Sequence, residues 1–166
     1  MYLATFIKTR TRQLGSVAIG IAAVAFLAAR TSAQTPSIIG TWEMDAAKSQ
    51  ANDGRTIALT IESVATNKLK LTSITHPKTG TDISVEVTCT ADGKSCDLKE
   101  GDHKSQVSMW YLGGALNICK TDGPPGDVVN EWKLQPSVDG KQLTLTVTHI
   151  DPSAAEETLV FSKKAS

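Results

Sequence analysis

The sequence predicts an all-β fold, a single antiparallel up-and-down barrel of roughly eight to ten strands, with a sandwich as the second architecture. Three observations predict it. Beyond Pro36, apolar residues recur at every second position, as in Ile57, Leu59 and Ile61. The positions between them are rich in Thr, as in Leu143-Thr144-Leu145-Thr146-Val147-Thr148. Turn chemistry interrupts this rhythm at short intervals, at Asp53-Gly54, Asn67-Lys68, Asp92-Gly93, Gly113-Gly114 and Asp139-Gly140. Successive strand side chains point to opposite faces, so alternation gives each segment one buried and one wet face. Parallel strands read instead as continuous apolar runs, so the pairing is antiparallel.

The elements follow in order. Residues 1–33 read as an export signal. Lys8, Arg10 and Arg12 form a basic start, and Val17 to Ala29 is an apolar run of 13 residues. That run is too short to span a bilayer, and Thr31-Ser32-Ala33 offers small residues for cleavage before Gln34. Residues 34–166 then form one domain. Strands are expected near 38–44, 56–63, 69–75, 82–90, 95–99, 104–112, 115–120, 128–135, 142–150 and 156–163. The one helical candidate is a turn or two from Asp45 through Gln50, capped by Asp45. Two prolines in Asp122-Gly123-Pro124-Pro125-Gly126-Asp127 exclude strand pairing there.

Charge narrows the function. Four of the 17 basic residues lie in the first 33 positions and all 17 acids lie beyond, leaving residues 34–166 at −4. Arg55 is the only arginine in that stretch. A mildly acidic domain without a basic stripe has no electrostatic reason to hold phosphate backbones, so nucleic acid is not an expected partner. No further apolar run is long enough to span a membrane once the signal is removed.

Register follows from the turns. With Asp139-Gly140 at a two-residue hairpin tip, Leu134 faces Leu145, Trp132 faces Val147 and Asn130 faces His149, all on the inner face. Asn130, Trp132 and His149 are thus the candidate ligand-orienting residues; the competing reading is that Asn130 and His149 merely satisfy each other near the rim. Gly113-Gly114 sets Met109 against Ile118 and Tyr111 against Leu116 on the inner face, leaving Trp110 partly exposed on the outer one. Around Asp92-Gly93, Cys89 falls opposite Cys96, within disulfide range, and Cys119 is left as a free thiol.

Catalytic chemistry is not visible. His76, His103 and His149 lie far apart, and the cysteine spacing fits no zinc pattern, so no metal or cofactor is expected. Asp102, His103 and Ser105 are neighbours along one turn and cannot form a nucleophile–base–orienter triad. Glu156 and Glu157 point to opposite faces of a strand and do not make an acid–base couple.

Ile39-Gly40-Thr41-Trp42-Glu43-Met44 resembles the first-strand Gly-x-Trp signature of lipocalins and fatty-acid-binding proteins, the calycin-type barrels. With Asp45-Ala46-Ala47-Lys48-Ser49 following, the chain looks most like short secreted bacterial lipocalin-like proteins. Leu112-Gly113-Gly114-Ala115-Leu116 is similar to a hairpin of the fatty-acid-binding proteins. The resemblance implies that Trp42 closes the barrel base, in the family often under an Arg of the last strand; this strand offers Lys163 or Lys164 but no Arg. Fatty-acid-binding proteins often grip a carboxylate with Arg-x-Tyr on the final strand; Leu159-Val160-Phe161 stands there in this chain, so that grip does not carry over. The helical lid of that family is also missing from the short stretch between the first two strands.

The function expected is a secreted or periplasmic lipocalin-like barrel that binds a small apolar ligand. The alternative is a solid barrel acting through its surface as an envelope interaction or inhibitor module, with Trp110 and loop 122–127 as its contacts. Interior positions are mostly Leu, Ile and Val with few small residues, which favours a filled barrel. An enzyme is the minority reading.

Overall fold

Among the described residues the chain forms, separated by turns, ten strands. They are β1 (Gly40–Met44), β2 (Thr56–Ala65), β3 (Lys68–His76), β4 (Ile83–Thr90), β5 (Asp92–Glu100), β6 (His103–Leu112), β7 (Ala115–Asp122), β8 (Val128–Pro136), β9 (Gln142–His149) and β10 (Glu157–Lys163). The structure, a computed structural model, describes residues 37–51, 53–100, 103–122 and 128–165. The export signal expected over 1–33 and most of loop 122–127 lie outside the described residues.

Every strand pairs antiparallel with its sequence neighbour, and β1 pairs with β10 to close the barrel. The ring has one thin seam. Among the described residues β4 and β5 share one register pair, Glu86 with Lys99, whereas the neighbouring ladders run eight and seven pairs. In the same register the Cys89 and Cys96 sulfurs are bonded, with a Cα separation of 5.7 Å, so a covalent link holds the seam near its turn.

Both hairpin registers follow the expected pairing. Asn130 faces His149 and Trp132 faces Val147; Met109 faces Ile118 and Trp110 faces Asn117. The β8–β9 turn is looser than a two-residue hairpin. Ser137 and Gln142 close it through backbone and hydroxyl bonds, and Asp139 Oδ1 caps it by accepting from the Lys141 amide. Its centre stays at Asp139-Gly140, which is why the register survives the longer loop. Tyr111 departs from expectation: it shares the inner phase but sits beside the hairpin tip and is 46% exposed. The segment after β1 makes one turn in which the Lys48 and Ser49 amides bond the Asp45 carbonyl and the Asp45 side chain accepts from the Ala47 amide. It does not propagate into a helix. Among the described residues no helix is long and apolar enough to cross a membrane.

The inner face carries the core. Trp42, Ile61, Met109, Leu116, Leu143 and Phe161 are all fully buried toward the end where β10 finishes. Trp42 donates its indole N–H to the Ile38 carbonyl at 2.9 Å. Lys163, its register partner on β10, lies with Nζ 5.2 Å from the Trp42 ring centroid. Lys164 instead pairs with Glu43. Gly40 is required by this arrangement. It holds φ +143°, and a Cβ there would lie 2.7 Å from Lys163 Cε. The Gly-x-Trp pattern therefore places a bare backbone beneath the lysine stem and the indole beneath its charge.

Candidate functional site

The end of the barrel opposite Trp42 is built differently. β2 and β10 begin there and β9 finishes there, so Arg55, Glu157 and His149 come together from distant parts of the chain. Below them the interior opens into a cavity of about 280 Å³. Its wall is mainly apolar, including Leu71, Val87, Leu145 and Phe161, with Arg55, Ser73, Thr75, Asn130 and His149 as polar members. The filled interior that the Leu, Ile and Val content suggests is thus not what forms. Ten strands enclose more volume than those side chains fill, since barrel diameter grows with strand number.

All three candidate ligand-orienting residues line this cavity: Asn130, Trp132 and His149. Asn130 Oδ1 lies 2.8 Å from His149 Nδ1. The amide oxygen can only accept, so Nδ1 carries the proton in this contact. The neutral imidazole then keeps Nε2 as an acceptor, and the amide keeps its NH₂ donors. Mutual satisfaction and a role toward a ligand are therefore compatible, because each side chain retains hydrogen-bonding capacity.

Two charged residues at the same end were not singled out from the sequence. Glu157 is buried at 6% exposure, and its carboxylate pairs with the Arg55 guanidinium. The other Arg55 nitrogen donates to Asp53 Oδ2 at 2.7 Å. Burial works against the guanidinium charge, but the hydrogen bonds it donates to Asp53 and Glu157 outweigh that, and the Arg55 pKa is raised. The Arg55 side-chain hydrogen bond in turn holds the Asp53 carboxyl below its ordinary range. The signal for Glu157 was its phase: it shares the inner face with Leu159 and Phe161, and a buried acid needs a cation. As the alternation requires, Glu156 faces outward, accepting from the Thr148 hydroxyl at 3.4 Å.

Ser105 adds a further polar group. It shares the inner phase with Val107 and Met109, is 4% exposed, and its hydroxyl has no hydrogen-bond partner. Its register partner is Leu98, which lines the cavity. Cys119 faces the outer side, with Sγ 3.8 Å from Glu131 Oε1; burial, then that carboxylate, push its thiol pKa up. Such a thiol is poorly suited to nucleophilic work. Among the described residues no group of three or more His, Cys, Asp or Glu is placed to hold a metal ion.

The barrel shares its fold with solved fatty-acid-binding proteins. Fatty-acid-binding protein 1 of Echinococcus granulosus superposes with a TM-score of 0.59 at 16% identity, over 77% of this chain and 98% of that one. A fatty acid transporter, REP1-NXSQ, gives 0.57 at 11% identity, over 77% and 96% of the two chains. The fatty-acid-binding protein of Manduca sexta gives 0.54 at 13% identity, over 76% and 99%. At such identities these likenesses establish the fold alone. No family model matches the chain, and no curated protein matches it by sequence.

Proposed function

We propose that this is an exported lipocalin-like barrel, secreted or periplasmic, whose interior binds one small apolar molecule. The observation that carries the reading is the cavity of about 280 Å³, apolar along its wall and polar at one end. Ligand sites have this composition, an apolar lining with a few placed polar groups, and the volume lies at the small end of their range. The structural neighbours named for binding or transporting fatty acids support the same reading, and they are binding proteins rather than enzymes.

Export is supported by the basic start and short apolar run of residues 1–33 and by a disulfide, which persists in oxidising compartments. Fractionation with N-terminal sequencing tests it: mature protein beginning at Gln34 is expected outside the cytoplasm, and an intact Met1 form in the cytoplasm contradicts it. Binding is tested by native mass spectrometry of gently purified protein before and after solvent extraction. A bound apolar molecule at one per chain, removed by extraction, is expected; unliganded protein that also takes up no added apolar compound refutes the reading.

A second reading, surface-mediated interaction, is favoured by one feature. The outer face carries a depression of about 340 Å³ bordered by Trp110, Cys119, Glu131 and Lys133. A partner seated there would be lost on Trp110→Ala while ligand uptake by the interior stayed unchanged. The other contact candidate, loop 122–127, lies mostly outside the described residues.

A further inference from the structure

We propose that the barrel selects apolar molecules with an uncharged hydroxyl end and excludes carboxylates of the same chain length. This rests on the interior-binding reading above and assigns its ligand class.

Among the described residues Arg55 is the one Lys or Arg side chain lining the cavity, and a carboxylate is tested there. Both of its terminal nitrogens are already committed, one to Asp53 and one to Glu157. The three groups together carry one net negative charge. Glu157 is nearly inaccessible, so an incoming carboxylate cannot displace it into water. It would instead become a third acid beside one guanidinium, and like charges that close repel strongly where water is excluded. Lys120 and Asp122 share the inner phase of β7, one of each sign; both are already engaged, and neither lines the cavity.

The neutral polar groups point the same way. With Nδ1–H bonded to Asn130 Oδ1, a neutral His149 offers an acceptor at Nε2 while the Asn130 amide offers donors. A hydroxyl can use either group, donating to Nε2 or accepting from the amide, whereas a carboxylate can only accept and so can use the amide alone. Ser105, a buried inner-face hydroxyl with no partner, is not among the residues lining the cavity, so the preference rests on Arg55, Asn130 and His149.

The test uses calorimetric titration of the disulfide-bonded protein with dodecanol, dodecanoate and dodecylammonium at neutral pH, each below its micelle concentration. Dodecanol is expected to bind one per chain, and dodecanoate at least about tenfold more weakly. Glu157→Gln releases the Arg55 guanidinium and is expected to bring the two affinities together. Asp53→Asn alters an exposed partner, leaves the core untouched, and is expected to shift the ratio the same way by a smaller factor. It keeps the test decisive if Glu157→Gln does not fold. Dodecanoate binding as tightly as dodecanol overturns the selectivity while leaving interior binding intact, and so does a ratio that neither substitution moves. Tighter binding of dodecylammonium overturns the preference for an uncharged end. Failure of all three to bind overturns interior binding itself.

Discussion

Replacing Gly40 by alanine puts a methyl group where the Lys163 side chain crosses β1. The added Cβ would lie 2.7 Å from Lys163 Cε, closer than real Cβ atoms approach a neighbour, and the backbone there holds φ +143°. The steric part can relax, because a lysine stem is flexible and can swing aside. Swinging aside takes the ammonium off the Trp42 ring, now 5.2 Å away, and forfeits about 0.5–1 kcal/mol. The backbone part cannot relax without moving the strand, and costs about 1–3 kcal/mol for a residue with a side chain. Together these give about 1.5–4 kcal/mol, a fall in Tm on the order of 10 °C for a domain this size. Urea and thermal unfolding of Gly40→Ala, Lys163→Ala and the double variant separate the two parts. Lys163→Ala should cost measurably in the parent and almost nothing in the Gly40→Ala background, where the contact is already lost. A Gly40→Ala protein within about 0.5 kcal/mol of the parent, or strictly additive penalties, would refute the account of the Gly-x-Trp pattern.

Three further outcomes are expected. Replacing both Cys89 and Cys96 by alanine should cost about 2.5 kcal/mol and speed amide exchange along β5 more than along β9, because among the described residues the β4–β5 ladder is short beside the disulfide; uniform exchange would contradict the seam. Asp53 has a depressed pKa in the folded protein, so its stabilisation is complete above the ordinary carboxylate value and is lost as pH falls through the lower folded value. Asp53→Asn should therefore flatten the acid limb of the Tm–pH curve, and an unchanged limb would count against the Arg55 contact. Burial, then Glu131, raise the Cys119 pKa, so alkylation of Cys119 at mildly alkaline pH should be slower than that of a free cysteine peptide and faster in Glu131→Gln; equal rates in all three would contradict it.

Much of this barrel is legible in residue order because its information is local. Alternation fixes which face is buried, and a turn at Asp139-Gly140 or Gly113-Gly114 fixes the register, so Asn130 meets His149 and Met109 meets Ile118 by counting alone. The Cys89–Cys96 bond follows from the same counting around Asp92-Gly93. The Arg55–Glu157 pair is not local. It joins a residue before β2 to one opening β10, 102 positions apart, and only barrel closure brings them together. Glu157 did carry a clue, since it interrupts the inner phase of Leu159 and Phe161, but nothing along the chain names its cation. The cavity is less legible still. It is a small difference between the volume ten strands enclose and the volume their inward side chains fill, and residue types alone do not set that difference.

The central claim, that the interior of the barrel is the binding site, is tested most directly by titrating dodecanol into the parent and into Val147→Trp while recording heat. Val147 lines the cavity and is nearly buried, so the larger ring would occupy the space a ligand needs. One saturable site per chain in the parent, absent from a folded Val147→Trp, is the predicted result. A site that persists unchanged in Val147→Trp, or no site in either protein, contradicts it.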